Sequence, residues 1–156
     1  MKTVYLFFIL FLPFLSCKSK EEKAIQANLN ELSGSWTITD FQVSGTAVDS
    51  LKTAFRQGTL TFNSCKYFKK GFQSEAVTCS GTAEINGETL SLGHRYFKDA
   101  TPFHLSVNFY PGQNFTFSLL LSGTWEFVQA DNQLTAKQIS NENLPNLHVE
   151  FKASKQ

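Results

Sequence analysis

Residues 77–92 have the sequence VTCSGTAEINGETLSL. Apolar and polar side chains alternate along this stretch, which is the period-2 pattern of antiparallel strands with one buried face. Asn86-Gly87 interrupts the alternation, and this dipeptide favours a tight type I′ turn because both residues tolerate positive φ angles. The stretch therefore predicts a β-hairpin. The residues predicted on its buried face are Val77, Cys79, Ala83, Ile85, Leu90 and Leu92.

The same alternation recurs through the rest of the chain after residue 35. Residues 103–109 and 115–121 are predicted to form a second hairpin around a Pro111-Gly112 turn, and Asp131-Asn132 is predicted as a further turn. Additional strands are predicted at residues 36–38, 60–62, 125–127, 134–136 and 147–151. In the first strand the apolar phase slips by one residue, which predicts a β-bulge near Thr39-Asp40.

Eight to ten short strands, each with one apolar face, are compatible with a sandwich or a closed barrel. Hairpins that follow one another without long crossovers favour the barrel, because closure removes exposed strand edges. We therefore predict an all-β fold, an antiparallel up-and-down β-barrel of about eight to ten strands. Val48, Leu51 and Phe55 have helical spacing, which predicts a short helix between the first two strands.

The amino terminus differs from the remaining sequence. Residues 1–16 have Lys2 followed by an apolar run that is shorter than the roughly 20 residues a membrane-spanning helix needs, which is typical of a secretory signal peptide. Phe14-Leu15-Ser16-Cys17 resembles the lipobox of bacterial lipoproteins. That resemblance implies acylation of Cys17, including palmitate, and a membrane partner reached through the lipid. Lys18 after the cysteine resembles the address of outer-membrane lipoproteins in Gram-negative envelopes.

The chain has 156 residues and a formal net charge of +1, which fits one domain and gives no basic surface for nucleic acid. Residues 17–31 are predicted as a charged tether or a short helix with Ile25 and Leu29 on one face, and residues 32–156 as the barrel domain. If Cys17 bears lipid, Cys65 and Cys79 remain as a pair, which predicts a structural disulfide in an exported protein.

Gly34-Ser35-Trp36 resembles the G-x-W signature of the lipocalins and related calycins. Gly123-Thr124-Trp125 is similar to the second tryptophan strand of lipocalin-like domains in bacterial lipoproteins. The resemblance implies an eight-stranded barrel, with Gly34, Trp36, Gly123 and Trp125 as structural residues, that binds a small apolar or amphipathic molecule. Arg56 and Arg95 are the only arginines, so the arginine that stacks on the first tryptophan in that family has no counterpart after Trp125.

Two functional hypotheses remain, because no catalytic or nucleotide-binding motif occurs. His94, His104 and His148 are predicted to be solvated rather than metal ligands, so we expect no enzyme, cofactor or metal. In the first hypothesis the barrel interior binds the ligand in a cavity of ~300 Å³ or more near Phe55. The predicted lining is Phe62, Phe103, Leu105, Phe109, Phe115, Phe117 and Phe127. In the alternative, the closed barrel is an accessory or interaction module of the envelope that binds a protein partner through its loops, such as residues 66–72.

Overall fold

The computed structural model describes residues 20–45, 55, 57–67, 78–96, 104–110 and 115–156. The predicted signal peptide, Cys17 and residues 46–54 of the helix predicted between the first two strands lie outside them. In chain order the elements are α1 (Lys20–Leu32), β1 (Gly34–Gly45), β2 (Gly58–Phe62), β3 (Thr78–Ile85), β4 (Glu88–Tyr96), β5 (His104–Tyr110), α2 (Phe115–Leu121), β6 (Gly123–Ala130), β7 (Gln133–Ser140) and β8 (Leu147–Lys155).

The strands form a closed antiparallel barrel. Each strand pairs with the next along the chain, and β8 pairs with β1 to complete the ring. The predicted up-and-down barrel is therefore confirmed, with eight strands, and the sandwich is excluded. Closure gives every strand a neighbour on both sides, which satisfies backbone groups that an open sheet would expose.

Three local predictions are confirmed. Asn86 and Gly87 have φ angles of 54° and 86° in the turn between β3 and β4, as a type I′ turn requires. Asp131 and Asn132 also have positive φ, at 50° and 60°, in the turn between β6 and β7. The pairing of β1 with β8 shifts register after Ile38, which leaves a bulge at the predicted place.

One predicted strand is wrong. Residues 115–121 form helix α2 rather than the second strand of a hairpin. In this segment Phe117, Leu120 and Leu121 are buried, at the i, i+3, i+4 spacing of a helix face, whereas Leu119 is only half-buried. The strand β5 pairs instead with β4 and β6. The predicted Pro111-Gly112 turn lies outside the described residues.

Two ends of the barrel can be distinguished. At the α1 end, β1 begins at Gly34, β4 ends at Tyr96 and β8 ends at Lys155. At the α2 end, β1 ends at Gly45 and β8 begins at Leu147. Helix α1 buries its apolar side chains in the barrel core, so the helix alternative for residues 17–31 holds from residue 20 onward.

The barrel core consists of contacting aromatic and aliphatic side chains. The ring centroids of Trp125 and Phe151 lie 5.3 Å apart, and those of Phe62 and Phe127 lie 5.9 Å apart in an edge-on arrangement. The disulfide between Cys65 and Cys79 is confirmed, with a Cα–Cα distance of 5.7 Å. It ties the segment after β2 to the beginning of β3.

Candidate functional site

The two tryptophan motifs occupy equivalent corners of the fold. The first corner is Leu32-Ser33-Gly34-Ser35-Trp36, and the second corner is Leu121-Ser122-Gly123-Thr124-Trp125. Each corner joins the last residue of a helix to the strand that follows it. In each, the glycine has a positive φ angle, 118° in the first and 140° in the second. The sequence Leu-Ser-Gly-x-Trp occurs in both corners, and this repeat is the signal from which their common geometry could have been predicted.

The same hydrogen bonds close both corners. The Trp36 indole Nε1 donates to the Leu32 carbonyl at 2.7 Å, and the Trp125 Nε1 donates to the Leu121 carbonyl at 2.8 Å. Both tryptophans are almost fully buried. Because a helix leaves its last carbonyls without partners inside the helix, each indole satisfies one of them while its ring packs in the core.

A lysine lies over the ring of the first tryptophan, at the place where the resemblance to the lipocalins implies an arginine. The Lys155 Nζ lies 5.1 Å from the centroid of the Trp36 ring and donates to the Glu31 carbonyl at 3.0 Å. Lys155 is the register partner of Trp36 across the β1–β8 pair. Sequence reasoning missed this residue because barrel closure, and no local pattern, brings it to the first tryptophan.

Side-chain amides complete the second corner instead. The Gln138 Nε2 donates to the carbonyls of Leu120 and Ser122 at 3.0 and 2.9 Å. The Asn141 Nδ2 donates to the Leu119 carbonyl at 2.8 Å and to the Leu120 carbonyl at 3.2 Å. Both amides are buried, so these bonds satisfy the end of α2 without water.

Most residues predicted to line a ligand cavity lie in the packed core. The side chains of Phe62, Leu105, Phe109 and Phe127 are buried on the inner faces of β2, β5 and β6, and Phe117 is buried on α2. Phe103 and the Phe115 side chain lie outside the described residues. The contact between Phe62 and Phe127 shows that some of these rings pack on one another.

His94 is buried, and its predicted position on the surface is wrong. It follows Leu90 and Leu92 on the inner face of β4, which the alternation of this strand would have indicated. Its side chain is 2% exposed, and neither ring nitrogen has a hydrogen-bond partner among the described residues. Burial lowers the pKa of His94 from 6.5 to about 4, so the ring is neutral at pH 7.

The other two histidines lie at the surface of the barrel. The His104 Nε2 is 3.6 Å from a carboxylate oxygen of Glu126, and this histidine is partly exposed. His148 is exposed on β8. Within the described ranges, the structure has no group of three or more side chains that could hold a metal ion.

A cleft of about 440 Å³ lies toward the α2 end, where β1, β7 and β8 meet. We call it the rim cleft. Its lining is Phe41, Gln42, Val43, Ser44, Lys137, His148, Val149 and Glu150. The Phe41 ring is stacked on Phe55 with 4.1 Å between their centroids, so the cleft lies beside the residue where an opening was predicted.

The lining of the rim cleft is amphipathic. The half-buried Phe41 supplies apolar surface, whereas the Val43 and Val149 side chains are 2% and 1% exposed and belong to the core behind the cleft. Lys137 and Glu150 are register partners across β7 and β8, and they place one cationic and one anionic side chain in the same cleft. This arrangement suits a small molecule with an apolar part and a polar head that has charges of both signs.

Protein-family models, curated proteins and solved structures were compared with this chain. None of the three comparisons finds a match. Over the part of the chain that the structure describes, no helix has the length and apolar character needed to cross a bilayer.

Proposed function

We propose that this chain is a lipid-anchored protein of the bacterial envelope whose barrel binds a small amphipathic molecule in the rim cleft. The observation that supports the ligand is the cleft itself, because its volume of about 440 Å³ falls in the range of small-molecule sites. Its Phe41 ring and its Lys137 and Glu150 side chains match the two parts of an amphipathic ligand.

The proposal places the ligand at the rim rather than inside the barrel. The Phe62 ring contacts those of Phe127 and His94, and the Phe151 ring contacts that of Trp125. Side chains at such contact distances fill the interior of a small barrel, so these residues support a rigid wall behind the cleft.

The proposed lipid anchor is supported by the resemblance of residues 14–17 to a lipobox and by the apolar leader that precedes them. Cys17→Ala is expected to release soluble protein or to leave unprocessed precursor, because no acyl chain then holds the domain to the membrane. Fractionation of cells that express the full chain checks this. An unchanged membrane fraction of Cys17→Ala contradicts acylation.

Native mass spectrometry of the purified mature chain tests the ligand. A bound species of small mass is expected, and it should be lost in Ser44→Trp, whose indole fills the cleft. Thr82→Trp is the matched control, because Thr82 is exposed on β3 away from the cleft lining. Retention of the bound species in Ser44→Trp contradicts the rim cleft as the site.

Apolar side chains on the outer surface favour a second function, an accessory or interaction module without a small ligand. Tyr110, Val128 and Ile139 are 56%, 54% and 42% exposed on β5, β6 and β7. These strands are neighbours in the barrel, and an apolar patch that spans them would mark a protein-binding site. A protein that co-purifies with the chain, and that Ile139→Asp releases, favours this second function.

A further inference from the structure

Helix α1 lies across the α1 end of the barrel and is fixed at several points. At its last residue, the Leu32 carbonyl accepts the Trp36 indole. In its middle, the Gln26 Nε2 donates to the Cys65 carbonyl at 2.8 Å, and the Gln26 Oε1 accepts the Tyr67 backbone N–H at 2.8 Å. The helix is therefore bonded to β1 and to the segment that follows β2.

The first turn of α1 reaches the end of β4. Burial raises the pKa of Tyr96, and the nearby Glu21 carboxylate raises it further because a negative charge disfavours the phenolate. Tyr96 is the last residue of β4, and its ring centroid lies 6.3 Å from that of Tyr67, whose backbone N–H donates to Gln26 of α1. The bonds at Leu32 and Gln26, together with the burial of the apolar side chains of α1 in the core, hold the helix against the barrel.

Only Lys18 and Ser19 separate Cys17 from the first residue of α1. Three Cα–Cα steps span at most about 11 Å, so an acylated Cys17 would hold Lys20 within that distance of the bilayer surface. By contrast, the α2 end is about 20 Å away along the barrel axis, which is the distance that β8 covers between the two ends given the usual tilt of barrel strands.

The charge near the start of α1 suits an anionic surface. Four exposed basic residues and two acidic residues lie on the first turn of α1 or near the ends of β2 and β4, so the basic groups exceed the acidic ones by two in this part of the α1 end. They are Lys20, Lys23, Lys66 and Arg95, against Glu21 and Glu22. At the other end of α1, Glu31 lies with Asp131 and Lys155, and these three lower the excess over the whole α1 end to one. Basic side chains held near a bilayer are attracted to anionic lipids.

We propose that the α1 end of the barrel rests on anionic lipid headgroups, so that the rim cleft faces the aqueous phase. This inference depends on the acylation of Cys17 proposed above. It deepens the proposed function, because a cleft held away from the bilayer takes its amphipathic ligand from the aqueous side rather than from the membrane that holds the anchor.

Fluorescence quenching in vesicles tests this orientation. The acylated full chain is labelled with an environment-insensitive dye at Lys66→Cys or at Glu142→Cys, both exposed sites, under conditions that leave the Cys65–Cys79 disulfide intact. The vesicles contain phosphatidylcholine, phosphatidylglycerol and a lipid with a nitroxide on its headgroup. The dye at position 66 is expected to lose most of its emission, and the dye at position 142 to keep nearly all of it.

An insertion variant provides the control. A flexible Gly/Ser segment of thirty residues between Lys18 and Ser19 has a reach of about 30 Å, so quenching at the two positions should become similar. Similar quenching at both positions without the insertion overturns the orientation. In vesicles of phosphatidylcholine alone the loss at position 66 should be smaller, and an unchanged loss overturns the contact with anionic headgroups.

Flotation of the vesicles distinguishes a wrong orientation of the barrel from the absence of the lipid anchor. Protein that does not float with the vesicles contradicts acylation at Cys17, and with it the proposed attachment. Protein that floats but shows similar quenching at positions 66 and 142 contradicts only the orientation.

Discussion

The first corner and the second corner have the same local sequence pattern but different surroundings. In both, a serine N–H donates to a helix carbonyl four residues earlier, at 3.1 Å for Ser33 and 3.2 Å for Ser122. In both, the tryptophan indole bonds to the leucine carbonyl. The five residues therefore give the chain the same path from helix to strand at both corners.

The first corner is completed by Lys155 and Gln156, which lie near the surface. The Lys155 side chain covers the Trp36 ring, and the Gln156 N–H donates to the Ser35 carbonyl at 3.0 Å. A Cβ added at Gly34 would meet the Lys155 Cε at 3.2 Å, near the far end of a flexible side chain.

The second corner is enclosed by buried, fixed groups. The Ser122 hydroxyl donates to the Ser118 carbonyl at 2.6 Å and accepts the Phe109 backbone N–H at 3.0 Å. A Cβ added at Gly123 would lie only 2.2 Å from the Ser140 carbonyl oxygen, which belongs to the backbone of β7. From this contrast we expect the motif to tolerate a substitution better at the first corner, where the neighbouring group is the end of a flexible side chain.

The largest difference is expected between the two glycine substitutions. Gly123→Ala should lower the free energy of unfolding by about 4 kcal/mol or prevent folding, because backbone strain at positive φ adds to an overlap that only a strand shift relieves. Gly34→Ala should cost about 1–2 kcal/mol, since only the strain remains. Urea denaturation measures both. Equal losses would show that the two corners are equally adaptable.

Acid should destabilise the half of the barrel that contains His94. The folded pKa of about 4 lies below the unfolded value of 6.5, so the unfolded state binds the proton first and stability falls as the pH drops from 6.5 toward 4. The loss amounts to about 3 kcal/mol by pH 4. The difference in stability between wild type and His94→Leu should show this pH dependence, while His148→Gln should behave as wild type.

A backbone-exchange measurement locates that acid effect. His94 is edge-on to Phe62 near the α1 end, with 5.4 Å between ring centroids. Hydrogen exchange at pH 5 should therefore increase in β2 and β4 before it increases in α2. Earlier exchange in α2 would place the acid-sensitive group near the second corner and contradict the assignment to His94.

Loss of the amide side chain at the second corner should have an intermediate effect. Gln138→Met keeps the length of the side chain but removes donors to the Leu120 and Ser122 carbonyls, and about 2 kcal/mol should be lost because the Ser122 carbonyl then loses its amide partner in the core. Thermal or urea unfolding checks the value. Stability within experimental error of wild type would argue that water replaces the amide.

The smallest effect is expected from Lys155. Lys155→Met keeps an apolar stem over Trp36 and removes the charge, so about 1 kcal/mol or less should be lost from the cation–π contact and the bond to the Glu31 carbonyl. Urea denaturation at low and high salt measures it. If Lys155→Met lowers the free energy of unfolding more than Gln138→Met does, the first corner is the less tolerant of the two, contrary to the account.

Local patterns predicted much of the fold. Alternation gave the strands, Asn86-Gly87 gave a turn, and the phase slip after Ile38 gave the bulge. Helix α2 could not be distinguished, because its seven residues satisfy both the strand period and the helix spacing. His94 could have been placed correctly from its alternation with Leu92.

The candidate site was less predictable, because its residues are distant in sequence. The rim cleft combines residues 41–44, 137 and 148–150, and only the closure of β8 onto β1 and β7 brings them together. Lys155 reaches Trp36 for the same reason. A sequence pattern reports the face of each strand but not which strands meet when the ring closes.

NMR of backbone amides and methyl groups during a titration with lysophosphatidylcholine, kept below its critical micelle concentration, tests most directly whether the ligand occupies the rim cleft. This probe combines one acyl chain with a head that has both charges, which matches the charges in the lining. The account predicts saturable shifts in the backbone amides of the exposed lining residues Ser44, His148 and Glu150, with the methyl groups of the core residues Leu92 and Leu105 unchanged. Shifts centred on the Leu92 and Leu105 methyl groups, with the three amides unaffected, would place the ligand inside the barrel and contradict the account.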